Sequence, residues 1–220
     1  MALVFWSQKT VTINPKFLRG LWKGYAVSSS GTFSRVRGVW APSHLQKWKE
    51  ALEKGEVVAA PAEGVYGYSC SPFNEQAVMK LLSLKDRSID KGLIVLCRHV
   101  KDVARFADLT GDYAEETIAA MNKYWPGPVT LVLPAKASAP GYITGYRDTV
   151  TVRIPSEMYM HEYLEKWGGP LVSTSLNTTG QPPARRKSQI PFGPVSLTLD
   201  KPLEGTSSGI FDVISGNWIR

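Results

Sequence analysis

The run Lys85-Asp86-Arg87-Ser88-Ile89-Asp90-Lys91 places three cations and two carboxylates in seven residues. Arg offers a planar fork of donors and Lys a compact point charge, the combination that holds a polyphosphate. The run also closes an apolar helical segment, where cations meet the negative end of the helix dipole. By itself it reads either as a charged helix end or as a phosphate clamp. A second group, Ser173-Thr174-Ser175-Leu176-Asn177-Thr178-Thr179-Gly180, is dense in hydroxyls and amides directly after an apolar stretch. Such a loop can offer donors to an anion, although turn chemistry selects the same residues. No GxxxxGK[ST], GxGxxG or HExxH occurs, nor paired metal-ligand cysteines. His44, His99 and His161 stand alone and read as surface or core residues.

These groups need a frame to hold them. Ser43 reads as the N-cap of a helix through Leu45, Trp48, Ala51 and Leu52, stopped at Gly55. Val57–Ala60 reads as a strand. Asn74 caps a second helix with apolar positions Ala77, Val78, Leu81, Leu82 and Leu84. Leu93–Cys97 is a buried-type strand, and Asp112 with Glu115 forms a capping box opening a helix through Tyr124. Trp125-Pro126-Gly127-Pro128 breaks that helix and feeds a strand at Val129–Leu133. Thr149–Ile154 alternates as a strand, Ser156 caps a helix to Trp167, and Leu171–Thr174 follows as a strand. Gln181–Pro194 is a Pro-rich basic loop, and short strands at Ser196–Leu199 and Ile210–Ile214 end the chain. Strands alternating with helices imply an α/β layer architecture. Its ligands are expected at strand ends, which directs attention to the loops Pro61–Gly67, Trp125–Pro128 and Ser173–Gly180.

The 220 residues suffice for one domain with an extension, and 43% hydrophobic with 20% charged residues is an ordinary globular balance. No apolar run reaches the roughly 18–20 residues that span a bilayer, and Met1–Trp6 does not resemble a signal peptide. Cys70 and Cys97 read as small buried hydrophobes of a reducing compartment. The net charge of +7 is confined to the first 50 residues, with eight Lys and Arg against Glu50 alone; residues 51–220 carry 18 bases and 18 acids. A basic leader can be a solvated extension, an RNA-contacting arm or a targeting peptide. Trp6, Phe17, Trp22, Tyr25, Phe33 and Trp40 make it richer in aromatics than a disordered tail.

The motifs in order resemble the YrdC-like threonylcarbamoyl-AMP synthase family. Pro61-Ala62-Glu63-Gly64-Val65-Tyr66-Gly67 is similar to Pro-Thr-Glu-Thr/Ala-Val-Tyr/Phe-Gly, and Lys85-Asp86-Arg87 to the family's Lys-x-Arg. Asp90–Ile94 resembles the short bacterial branch, Trp125–Thr130 resembles Trp-Pro-Gly-Pro-x-Thr, and Thr149 through Val152-Arg153-Ile154-Pro155 resembles the Val-Arg-Ile-Pro strand. Ser173–Asn177 is similar to Ser-Thr-Ser-Ala-Asn, and Ser208–Asp212 with Arg220 to the family's ending. Ala62 and Gly64 lack hydroxyls common there, Ser88 replaces a Pro and Leu176 an Ala, while Leu96 stands where longer homologues carry a His that the short branch also lacks.

The resemblance implies residues 1–42 as a basic extension and 43–220 as a YrdC-like domain, an open twisted mixed β-sheet flanked by helices with a concave basic ligand cleft. It implies condensation of L-threonine, bicarbonate or CO2, and ATP to threonylcarbamoyl-AMP and pyrophosphate, Mg2+ travelling with the phosphates. The product feeds the t6A modification of tRNA through proteins that receive the adenylate, in the cytoplasm and without a membrane. Lys85 and Arg87 would be catalytic, and with Lys91, Thr149, Ser175, Asn177, Ser208 and Arg220 would bind ATP. Gly64, Arg153, Ser173 and Ser175 would bind threonine. A non-catalytic module binding tRNA, rRNA or double-stranded RNA is the competing expectation. A carbamoyl-adenylate domain of hydrogenase maturation is a third, weakened because the zinc-finger cysteines of such proteins are missing.

Overall fold

A computed structural model describes residues 39–178 and 180–220 fully, together with four backbone segments before them. Those segments pair antiparallel as β1 (Phe5–Trp6) with β2 (Lys9–Thr10), and β3 (Tyr25–Val27) with β4 (Phe33–Arg35). Otherwise the expectations for the basic leader and its aromatics up to residue 38 lie outside the described residues.

Eight strands form one mixed, open sheet in the order β12-β11-β8-β9-β7-β10-β6-β5. They are β5 (Val58–Pro61), β6 (Tyr66–Cys70), β7 (Ile94–Leu96), β8 (Val129–Pro134), β9 (Thr149–Arg153), β10 (Leu171–Ser175), β11 (Gly209–Asp212) and β12 (Asn217–Trp218). The pairs β11–β8 and β7–β9 are parallel and the others antiparallel.

The period-2 alternation of each strand assigns its two faces. Ala59, Val95, Val150, Val152, Leu131, Leu133 and Val172 enter one core, against Ala77, Val78, Leu81 and Leu82 of α2 (Glu75–Lys85) and Ala120 and Met121 of α4 (Ala114–Tyr124). Val58, Ala60, Leu96 and Leu171 enter the other, under Leu45, Trp48 and Leu52 of α1 (Pro42–Glu53) and Met160, Tyr163 and Leu164 of α6 (Met158–Trp167). Single-turn helices α3 (Val100–Val103) and α5 (Gly141–Thr144) complete the α-helices among the described residues. Trp40 belongs to the second core and donates from Nε1 to the Thr198 carbonyl. Among the described residues no helix is long and apolar enough to cross a membrane.

Several expected details differ. Helix α1 starts with Pro42 at its first turn and Ala41 as N-cap, since a fixed proline φ suits that position better than Ser43 as cap. Helix α4 has Tyr113 as N-cap without a side-chain cap, so Asp112 opens no capping box; Glu157, not Ser156, precedes α6. Asn74 does cap α2, its Oδ1 accepting from the Ala77 amide at 3.0 Å. Leu84 points to solvent at 48% exposure, while Lys85 takes the buried position. Ser196–Leu199 makes only an isolated bridge to Ala59, and Tyr66–Cys70, whose first two residues fall at the end of the expected loop Pro61–Gly67, is a fully buried strand. Cys70 and Cys97 are free and buried, and burial pushes the Cys70 thiol up to about 12.

Candidate active site

The face covered by α1 and α6 continues past these helices as polar sheet. In register, Ser173 of β10 stands beside Ile94 of β7, and Ile94 beside Thr151 of β9. These three side chains therefore share a row, and Arg153 follows two residues beyond Thr151 on the same face. Loops close a cavity of about 220 Å3 above this floor. Its walls include Glu63, Gly64, Arg87, Lys91, Arg153, Ser173, Ser175, Ser208 and Arg220. Among the described residues four cations stand against one carboxylate, a balance that suits an anion.

Each cation is placed by its own backbone device. Asp86 ends α2 in the left-handed region at φ 48°, turning the chain so that Lys85 stays beneath and Arg87 emerges into the cavity wall. Arg87 Nη2 donates to the Gly92 carbonyl at 2.9 Å, but its buried Nε has no hydrogen-bond partner among the described residues. Gly92, at φ 60°, carries the chain past the Thr144 carbonyl, which an added Cβ would approach to 3.1 Å. Arg220 doubly clamps the Ser208 carbonyl, from Nη2 at 2.9 Å and Nε at 3.2 Å. The Ser208 hydroxyl lies 2.8 Å from that of Thr130, which locks the ends of β8 and β11 together.

Arg153 is different, being 5% exposed. Its Nη2 lies 2.7 Å from Glu63 Oε2, an ion pair whose orientation is not that of a hydrogen bond. Both Glu63 oxygens and Arg153 Nε are buried without hydrogen-bond partners among the described residues. Burial pushes the Glu63 carboxyl up, and Arg153 opposes this. Tyr159 and Tyr163 of α6 hold the loop beneath from the other side, donating to the carbonyls of Ala62 at 3.0 Å and Pro61 at 3.3 Å.

Gly64 passes so close to the facing loop that an added Cβ would lie 2.6 Å from the Thr206 carbonyl oxygen. A hydroxylated residue there has no room with this loop in place. Gly64→Ala is therefore expected to displace residues 205–207, and with them the Ser208 wall. A misplacement of about 1 Å costs on the order of 10²-fold in turnover. Steady-state kinetics of the variant check it; turnover within about threefold of the parent chain would show that the facing loop yields freely.

Of the residues singled out in the sequence, Gly64, Arg87, Lys91, Arg153, Ser173, Ser175, Ser208 and Arg220 line the cavity. Lys85, Thr149 and Asn177 do not. Lys85 lies on the buried side of α2 and donates from Nζ to the Ser175 carbonyl, to Asn177 O at 2.8 Å and to Asn177 Oδ1 at 2.9 Å. Burial, aided by the Arg87 guanidinium, pulls that ammonium down to about 8. Asn177 Oδ1 also accepts from the Ser175 hydroxyl at 2.7 Å, and its Nδ2 donates to Gln181 O. These two residues staple the polar loop to α2. Thr149 shares the face of Thr151 and Arg153 but sits nearer the start of β9. Thr151, Thr174 and Ser207 line the cavity without having been singled out, and Glu63 was read only as part of a motif. Strand alternation from Arg153 would have found Thr151.

An open mixed sheet carrying a cation-rich cavity on one polar face defines an α/β protein whose site suits an anionic ligand. Residues 50–219 match the Sua5/YciO/YrdC family model, described as telomere recombination, and the chain belongs to that family. It is 41% identical over 148 residues to the threonylcarbamoyl-AMP synthase of Vibrio vulnificus, covering 67% of this chain and 79% of that one. It is 37% identical over 184 residues to the threonylcarbamoyl-AMP synthase of Klebsiella pneumoniae, covering 81% and 96%. P. abyssi Sua5 complexed with L-threonine superposes with a TM-score of 0.66 at 27% identity, over 76% of this chain and 50% of that longer one. E. coli YciO, at 20% identity and a TM-score of 0.64, shares the fold.

Proposed function

We propose that this chain is an L-threonylcarbamoyladenylate synthase, condensing L-threonine, bicarbonate or CO2, and ATP to threonylcarbamoyl-AMP and pyrophosphate. The observation that carries the reading is the single cavity joining Arg153 and Ser173 to Arg87, Lys91, Ser175, Ser208 and Arg220. The similarity to named threonylcarbamoyl-AMP synthases over most of their length supports it.

In this reading Arg153 meets the threonine carboxylate, with Ser173 and the Gly64 loop around the amino acid. Arg87, Lys91, Ser175, Ser208 and Arg220 hold the nucleotide. The threonine amine joins CO2 as a carbamate, a carbamate oxygen attacks the α-phosphorus, and pyrophosphate leaves. The protein contributes position and charge neutralisation. Mg2+ would enter on the ATP phosphates, as part of the substrate. The product would serve t6A formation on tRNA through the proteins that receive the adenylate, in the cytoplasm.

Pyrophosphate release from ATP and bicarbonate, measured with each of the twenty amino acids in turn, tests the reading. Release is expected with L-threonine above all others. Release that ignores the amino acid, or none with any, counts against it.

A further inference from the structure

Among the described residues, Glu63 is the one acidic side chain in a cavity walled by Arg87, Lys91, Arg153 and Arg220. Its carboxylate is buried with a 10% exposed side chain, and among the described residues its side-chain partner is the Arg153 ion pair, whose orientation is not that of a hydrogen bond. An ion pair alone leaves buried carboxylate lone pairs to satisfy, so the place of this group in a ligand cavity points to a donor supplied by the ligand. A cation and a carboxylate 2.7 Å apart match the two ends of a zwitterion: Arg153 suits an α-carboxylate and Glu63 an α-ammonium.

We propose that Glu63 receives the α-ammonium of the amino-acid substrate and acts as the general base that frees its nitrogen for attack on CO2. The inference rests on reading the chain as a threonylcarbamoyl-AMP synthase. An ammonium is not a nucleophile, so one N–H proton must leave first. It passes to a Glu63 oxygen, and the freed lone pair forms the N–C bond to CO2 while a C=O π pair moves onto oxygen. The second surplus N–H proton goes to water, leaving the carbamate anion. The Glu63 proton is lost to solvent after product departs.

The surroundings favour that transfer from both sides. Burial raises the Glu63 carboxyl, against the pull of Arg153 and with a smaller push from Glu157. From α6, Tyr159 and Tyr163 face the pair as neutral phenols, because burial holds both above their ordinary range. The four guanidinium and ammonium groups on the walls repel a substrate ammonium and favour its neutral form.

The test is Glu63→Gln, with Glu63→Asp beside it, followed as adenylate formation from neutral to alkaline pH. For the Gln variant kcat is expected to fall on the order of 10²-fold or more at neutral pH and to climb about tenfold per pH unit as the free amine becomes populated. The Asp variant should recover at least about tenfold of that loss, and ATP affinity, which reports an intact fold and nucleotide half-site, should stay within about twofold in both. A Gln variant with kcat within about threefold of the parent and an unchanged pH profile would make Glu63 a counter-ion for Arg153 and overturn the proposal, as would Asp no better than Gln. If the parent chain forms no adenylate from threonine at all, the functional reading fails first, a result distinct from either.

Discussion

Replacing Arg153 by Met is expected to destabilise the protein by about 3–5 kcal/mol, because it strands the buried Glu63 charge. Arg153 and Glu63 have side chains only 6% and 10% exposed, so solvent screens their interaction little. For a domain of this size the melting temperature should drop by on the order of 10 °C. Adding Glu63→Gln to Arg153→Met removes the stranded charge and should restore most of the stability. Catalysis should not return with it, since the partner proposed for the substrate carboxylate is gone. Thermal denaturation and turnover on the two single variants and the double variant check both halves. A double variant as unstable as the sum of the two singles would show that the pair is not coupled.

The second large effect concerns Lys85. Lys85→Met keeps the apolar stem yet removes a charged donor from three loop oxygens, Ser175 O, Asn177 O and Asn177 Oδ1. Hydrogen bonds to charged groups contribute about 1.5–3 kcal/mol, and a loss in that range is expected for this buried staple. The loop should loosen, and ATP affinity should fall more than about tenfold as the Ser175 wall moves. Hydrogen exchange over residues 173–178 separates this from direct phosphate contact. Faster exchange there in the free protein supports the staple. Unchanged exchange with lost ATP affinity would instead assign Lys85 to the phosphates. Arg87→Ala, by contrast, should lower ATP affinity and leave exchange in that loop as it was.

The Lys-x-Arg element illustrates what one-dimensional pattern conveys. Its cations were visible, but their division of labour depends on a left-handed residue, Asp86, which no composition rule marks. Helical spacing did contain the clue for Lys85, because Val78, Leu81, Leu82 and Lys85 fall on one side of α2 and Leu84 on the other. The aliphatic strands Val58–Pro61, Ile94–Leu96 and Val129–Pro134 were legible because buried sheet selects such runs. Tyr66–Cys70 escaped because Tyr-Gly-Tyr-Ser-Cys has no aliphatic residue; there Gly67 is needed for close passage, an added Cβ standing 3.0 Å from the Thr174 carbonyl oxygen. Gly64 looked like a missing hydroxyl and is a contact with the chain at Gly205–Thr206. The Glu63–Arg153 pair joins residues 90 positions apart, and only the fold brings them together.

The most direct test of the whole account is mass analysis of the nucleotide product after incubation with ATP, L-threonine and 13C-labelled bicarbonate. The account predicts an AMP adduct that carries threonine and one labelled carbon, in step with pyrophosphate release, and its disappearance in Arg153→Met. An adduct without the labelled carbon, or AMP and pyrophosphate formed with no adduct, would contradict it.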